Sequence, residues 1–195
     1  MTKYSKIALS ALVMGTFTLT SCSKSDSPAA TASIYSRLGG TTLVDDPDNS
    51  DPAVKIEAGR LAYRKVVNTT IGLIVADVQA NAPGNLSAHF APLLAETGAT
   101  QTTNLAELSD NITDFFSYNT GGTNAVNVYS GMDMATAHNP ALNPRMGVKA
   151  TSANYTKFEG YVGAAAVQNG VAANTQLYTD IVAVLESLRT PIVQQ

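Results

Sequence analysis

Leu108, Ile112, Phe115 and Phe116 stand at positions i, i+4, i+7 and i+8, with polar residues between them. That spacing lays one apolar stripe along an α-helix and scatters the same side chains over both faces of a strand. Gly121-Gly122 stops the stripe. The same grammar recurs along the chain. Residues 33–38 form a short helix stopped by Gly39-Gly40. Residues 53–78 carry enough apolar positions for one or two helices. Residues 154–168 close at Asn169-Gly170. Residues 175–189 put Leu177, Ile181, Val184, Leu185 and Leu188 on one face, with Pro191 as the stop. Asn104 and Glu107 have capping-box spacing, which predicts the start of the Leu108 helix. Ser130 and Asp133 make a second cap by their spacing, predicted to start a short helix that holds Met134 and His138, and Pro140 ends it near His138. The run DDPDNSDP at 45–52 reads as an acidic, solvated connector. No hairpin signal and no strict alternation is present, so the predicted class is all-α.

The chain of 195 residues is 45% hydrophobic and only 14% charged, with a formal charge of −3. It can bury a core. It has no Lys/Arg cluster, which argues against a nucleic-acid partner. The N-terminus reads as a targeting segment: Lys3 and Lys6, then an apolar run at 7–19 too short to span a bilayer comfortably. Leu19-Thr20-Ser21-Cys22 resembles a bacterial lipobox, in which cleavage precedes the cysteine and the cysteine carries lipid. Cys22 is the single cysteine, so no disulfide forms within the chain. The expected organisation is a lipoprotein signal peptide at 1–21, a lipidated flexible tether at 22–32 and a folded domain at 33–193. Ser23, in place of Asp, points to the outer membrane of a diderm cell envelope, with membrane attachment through Cys22.

The candidate chemistry lies in two histidines. His138 follows Met134 by four residues and shares its helix face. A neutral imidazole there is a metal ligand of the commonest kind. His89 is the rival and reads as a surface residue. Neither histidine has a Glu three residues on, as an imelysin-like iron- or haem-capture protein would require.

The order SIYSRLGG at 33–40, FFSYNTGG at 115–122 and YSGMDMATAH at 129–138, followed by a helix ending NGV and a last helix closing LRTPIV, resembles the truncated haemoglobins, most closely their first group. The resemblance covers residues 33–193, with insertions at 41–53, 77–90, 93–103 and 139–150. It implies a two-over-two helical sandwich around haem b, with His138 as the iron ligand and a diatomic gas (oxygen, CO or NO) on the opposite face. It implies haem contacts from Phe90, Leu108, Ile112, Phe116, Met134, Ile71, Val148 and Tyr155.

The chain also departs from the family. Where the second helix of that family has a Tyr that holds bound oxygen, the register through VVNTTIGLIVAD puts Ile71; a rival register through LAYRKVV puts Tyr63. The usual distal Gln is replaced by Ile112. The first register leaves the distal side without a hydrogen-bond donor. It predicts a weak, easily oxidised oxygen complex, suited to sensing or redox chemistry with a redox partner that the sequence does not identify. The alternative expectation is a non-haem helical lipoprotein, an interaction module on a decayed globin scaffold.

Overall fold

Ser33 accepts a hydrogen bond from the Ser36 N–H and so starts helix α1 (Ile34–Arg37), which Gly39 and Gly40 end with positive φ angles. The computed structural model describes residues 31–195; the signal segment, Cys22 and the tether up to residue 30 lie outside the described residues. Residues Ala32–Gln195 form one compact unit, and the described residues are mostly helical. After α1 come strands β1 (Leu43–Asp45) and β2 (Lys55–Glu57), then α2 (Ala58–Gln79), α3 (Ala91–Leu94), α4 (Gly98–Asn119), α5 (Met134–Ala137), α6 (Ser152–Gln168) and α7 (Gln176–Ile192).

Three expectations change. β1 and β2 form an antiparallel pair with Val44 opposite Ile56, although no hairpin was expected. Strands of three residues are too short to show alternation, and the acidic connector between them offers no tight-turn signal. Its carboxylates are used locally: Asp45 pairs with Lys55, and Asp46 and Asp48 with Arg64. Helix α4 begins at Gly98 rather than at Asn104. The Asn104 amide donates instead to Glu96 Oε2 at 2.7 Å, and Gln101 donates to the Leu93 carbonyl, tying the first turns of α4 to α3. Pro191 lies inside α7 rather than beyond it. Beyond it the chain is held by the Gln194 N–H donating to the Ala150 carbonyl.

Helix α2 packs against both α4 and α6, and α6 against α7. Small residues allow the close approach. Ser109, Thr113 and Ser117, spaced by four along α4, are buried, and Ser109 donates to Asn68 on α2 at 2.6 Å. Ala165 and Ala166 on α6 are fully buried. The bulky stripe of α4 therefore turns to a neighbouring side, where the helices stand apart.

Candidate functional site

Residues of α2, α4, α6 and α7 enclose an apolar cavity of about 280 Å³. Ile71 and Ile74 come from α2, Leu105, Leu108, Ile112 and Phe116 from α4, and Phe90 from the turn before α3. Phe158 and Val162 of α6 and Leu185 of α7 close the other side. Two hydroxyl-bearing residues, Tyr63 and Thr70, share the wall. Thr70 donates to the Val66 carbonyl at 2.8 Å. Thr120 spends its hydroxyl hydrogen on the Phe116 carbonyl, so Tyr63 is the donor in the 2.6 Å bond between Tyr63 and Thr120. Neither hydroxyl has a hydrogen left to direct into the cavity. Ile71 and Tyr63, the rival residues for one distal position, thus both reach the wall, and the tyrosine is engaged elsewhere.

His138 is the C-cap of α5, a helix started by the Asp133 side chain accepting from the Thr136 N–H. Its Nδ1 lies 2.9 Å from the Met134 carbonyl. A carbonyl only accepts, so Nδ1 carries the hydrogen and the neutral ring keeps a bare lone pair on Nε2. Burial pushes the pKa of His138 down, against the bond to Met134, and the neighbouring His89 charge pushes it further down. The ring is therefore neutral at neutral pH.

His89 is not on the surface as expected: it is only 6% exposed. The 139–150 insertion folds back over it. Its Nδ1 donates to the Val148 carbonyl at 3.1 Å, and its own carbonyl accepts from the Gly147 N–H at 2.9 Å. Gly147 is required for this fit, since a Cβ there would lie 1.9 Å from the Ala88 carbonyl oxygen. His89 thus has its Nδ1 engaged by a backbone carbonyl, as His138 has. Among the described residues, no three His, Cys, Asp or Glu side chains cluster to hold a bare metal ion.

Of the residues expected around haem, Ile71, Phe90, Leu108, Ile112 and Phe116 line this one cavity. His138, Met134, Val148 and Tyr155 do not. Met134 and Tyr155 belong to an adjoining cluster with Ala150 and Ile192. Phe158 packs against that cluster and also against the Ile74–Leu86–Tyr161 cluster, where Phe90 packs too. Phe158 therefore stands between the cavity and the residues around α5. Val148 is exposed, and its part in the site is the carbonyl it offers to His89.

Sequence reasoning missed a buried polar cluster at the other end of α2. Tyr35, 2% exposed, donates its hydroxyl to Glu57 Oε2. Asn127, fully buried, donates to that same oxygen at 2.8 Å and lies 2.9 Å from the Tyr35 hydroxyl; Asn124 donates to Glu57 Oε1 at 2.8 Å. Burial raises the pKa of Glu57, but these donors outweigh it and the net shift is downward. The Tyr35 ring fits because Gly59 and Gly122 face it; a Cβ on either would come within 2.9 Å of ring carbons. The one available signal was a lone Glu in the otherwise apolar run Ile56–Ala58. No family model and no curated protein matches this sequence.

Proposed function

We propose that residues 33–193 are a haem-binding, globin-like domain of the truncated-haemoglobin type. On this reading a lipid on Cys22 holds the protein at the outer membrane of a diderm envelope, and the domain binds a diatomic gas. The observation that carries it is convergence: five residues matched to the family by their order in the sequence, drawn from α2, the turn before α3 and α4, wall a single apolar cavity. The pairing of α2 with α4 and of α6 with α7, with α2 against α6, is what a two-over-two sandwich requires.

The donor set fits haem better than a bare ion. Two imidazoles without a third ligand make a poor cation site, whereas haem iron already carries four nitrogens and asks the protein for one or two more. On this reading His138 would hold the iron through its Nε2, with Met134 and Tyr155 packed in the neighbouring cluster. Ile71, Leu108, Ile112 and Phe116 would wall the gas side. Bound haem supplies a ferrous centre that takes a gas molecule. The chain's contribution is a largely apolar wall on which the Tyr63 and Thr70 hydroxyls are committed elsewhere, so that neither donates to the gas. A hydrogen bond to a partly charged acceptor is worth about 1.5–3 kcal/mol, so oxygen is held weakly, by roughly tenfold or more.

The deciding experiment is absorption spectroscopy of the purified protein titrated with haemin. The expected result is stoichiometric uptake with a sharp Soret band, lost or shifted in His138→Ala. A protein that stays colourless overturns the reading. A second reading, a haem-free interaction module on a decayed globin scaffold, is favoured by one observation: Phe158 and its neighbours separate His138 from the cavity.

A further inference from the structure

The apolar cavity is drawn out along the helices. On α2 its wall runs from Tyr63 to Gln79, about 24 Å of helix, and on α4 from Gln101 to Phe116, about 22 Å. The two helices are antiparallel: Arg60 pairs with Asp114, Tyr63 stacks on Phe116, and Asn68 accepts from Ser109. Tyr63 and Phe116 therefore mark one end of the cavity, and Gln79 and Gln101 the other. The ends differ. Tyr63, Val67, Ala166 and Leu185 are buried at the first, whereas at the second Gln79 is exposed and Leu94 and Gln101 are half-buried. The cavity is a channel with a closed end and a mouth.

We propose that this channel binds one unbranched alkyl chain of a lipid with an uncharged head, its tail at the Tyr63 end and its head at the Gln79–Gln101 mouth. The proposal does not rest on the haem reading. Among the described residues the channel wall has no histidine, cysteine or carboxylate, and Phe158 stands between it and His138.

Length, volume and polarity select this ligand. A bilayer's hydrocarbon core of about 30 Å holds two leaflets, so one acyl chain extends about 15 Å, which fits within the channel and leaves room for a head. The volume of about 280 Å³ is nearly twice that of an engineered apolar cavity of about 150 Å³ that takes benzene. The Tyr63 and Thr70 hydroxyls are committed within the protein, so a polar group deep in the channel finds no donor, and an alkyl chain asks for none. No Lys or Arg lines the wall, so an ionised head gains no partner there. The mouth instead carries two amides. Gln101 donates an N–H to the Leu93 carbonyl at 3.3 Å, and its amide oxygen is an acceptor suited to a hydroxyl head.

The test is displacement of the methyl ester of parinaric acid, a fluorescent unbranched chain, from the haem-free full chain by a series of straight-chain alcohols from octanol to hexadecanol. The expected result is one chain per protein, with affinity rising about fourfold per added methylene until the channel is filled and then levelling. Palmitic acid at neutral pH should displace about tenfold more weakly than hexadecanol, because its charge has no partner. Cholesterol, too broad for the channel, should not displace. Leu108→Trp, midway along the wall, should weaken the long alcohols by about tenfold. Val67→Phe, at the closed end, should move the levelling point to shorter alcohols, and Val182→Ser, an exposed position on α7 outside the wall, should change nothing. An affinity that does not depend on chain length overturns the proposal, as does palmitic acid matching hexadecanol or cholesterol displacing equally well. Circular dichroism identifies a variant that fails to fold. Hexadecanol carrying a diazirine at its tail, photolysed on the unaltered chain, then decides: label at Tyr63–Val67 or Leu185 supports the proposal, and label confined to Gln79 and Gln101 overturns it.

Discussion

At its N-terminal end α2 meets Glu57, whose two carboxylate oxygens accept from Tyr35, Asn124 and Asn127. About four to six turns further on, the same helix presents Ile71, Ile74, Val75 and Val78 to the apolar cavity. In the first region every group of the cluster answers another, and glycines at 59 and 122 remove the slack around the Tyr35 ring. In the second, apolar walls face one another across space. A buried charge is tolerated only when it is fully paired, so the first arrangement fixes one geometry. An apolar guest would add contacts with the walls of the second region, where no comparable polar cluster fixes the geometry. The difference teaches where stability and function sit on one helix.

The comparison breaks most visibly at Glu57. Glu57→Ala leaves the Tyr35 hydroxyl and the Asn127 amide without their acceptor, and is expected to lower unfolding stability in urea by about 3–5 kcal/mol. A loss below about 1 kcal/mol would show that the cluster is not the rigid end. Next in size is the response of the other end to a guest. Haem at a hundredfold over its dissociation constant should stabilise the protein by about 2.7 kcal/mol, read as a shift of the denaturation midpoint, with a much smaller shift in His138→Ala. No shift with the unaltered chain would count the cavity as plain packing.

A smaller effect sharpens the functional half of the comparison. Ile71→Tyr places a hydroxyl on the cavity wall that, unlike Tyr63, has no Thr120 to occupy it. On the haem reading, oxygen dissociation followed by stopped flow should slow by about tenfold, which corresponds to about 1.4 kcal/mol, and carbon monoxide should respond less. Equal oxygen release by variant and parent would mean that position 71 does not face the bound gas.

The helices were legible because their signals are local. The Gly39-Gly40, Gly121-Gly122 and Asn169-Gly170 breaks fall at helix ends, and Leu108, Ile112 and Phe116 of the α4 stripe face the cavity. What escaped depends on residues remote in sequence. His89 looked like a polar residue in a loop, and its burial comes from an insertion some sixty residues on that supplies the Val148 carbonyl. Asn127 and Glu57 meet across seventy positions, and no periodicity reports such a pairing. The Asn104 capping signal was genuine chemistry used for another purpose, a side-chain bond to Glu96 within a helix already begun. The Tyr63 and Ile71 registers could not be separated by sequence because both residues lie on the cavity side of α2. The hydroxyl bond of Tyr63 distinguishes their roles.

Acid should take the two ends apart in sequence, and this is the smallest of the expected effects. His138 has its pKa lowered by burial below the ordinary 6.5, so the unfolded chain binds its proton more readily than the folded one. Linkage then makes stability decline as pH falls from about 6.5, the decline ending once the folded ring also protonates. Glu57 is shifted in the same direction from an ordinary 4.5, and its contribution is held above that value and lost only as pH falls through its lowered folded pKa. A plot of urea stability against pH should therefore show a shallow shoulder beginning near 6.5 and a steeper fall below about 4.5. His138→Leu should erase the shoulder and leave the fall, and Glu57→Gln should lessen the fall, to which the lowered Asp46 and Asp77 also contribute, and leave the shoulder. If His138→Leu leaves the shoulder in place, the ring near α5 is already solvated, and the neutral, coordinating form on which the haem reading depends is not enforced by the fold.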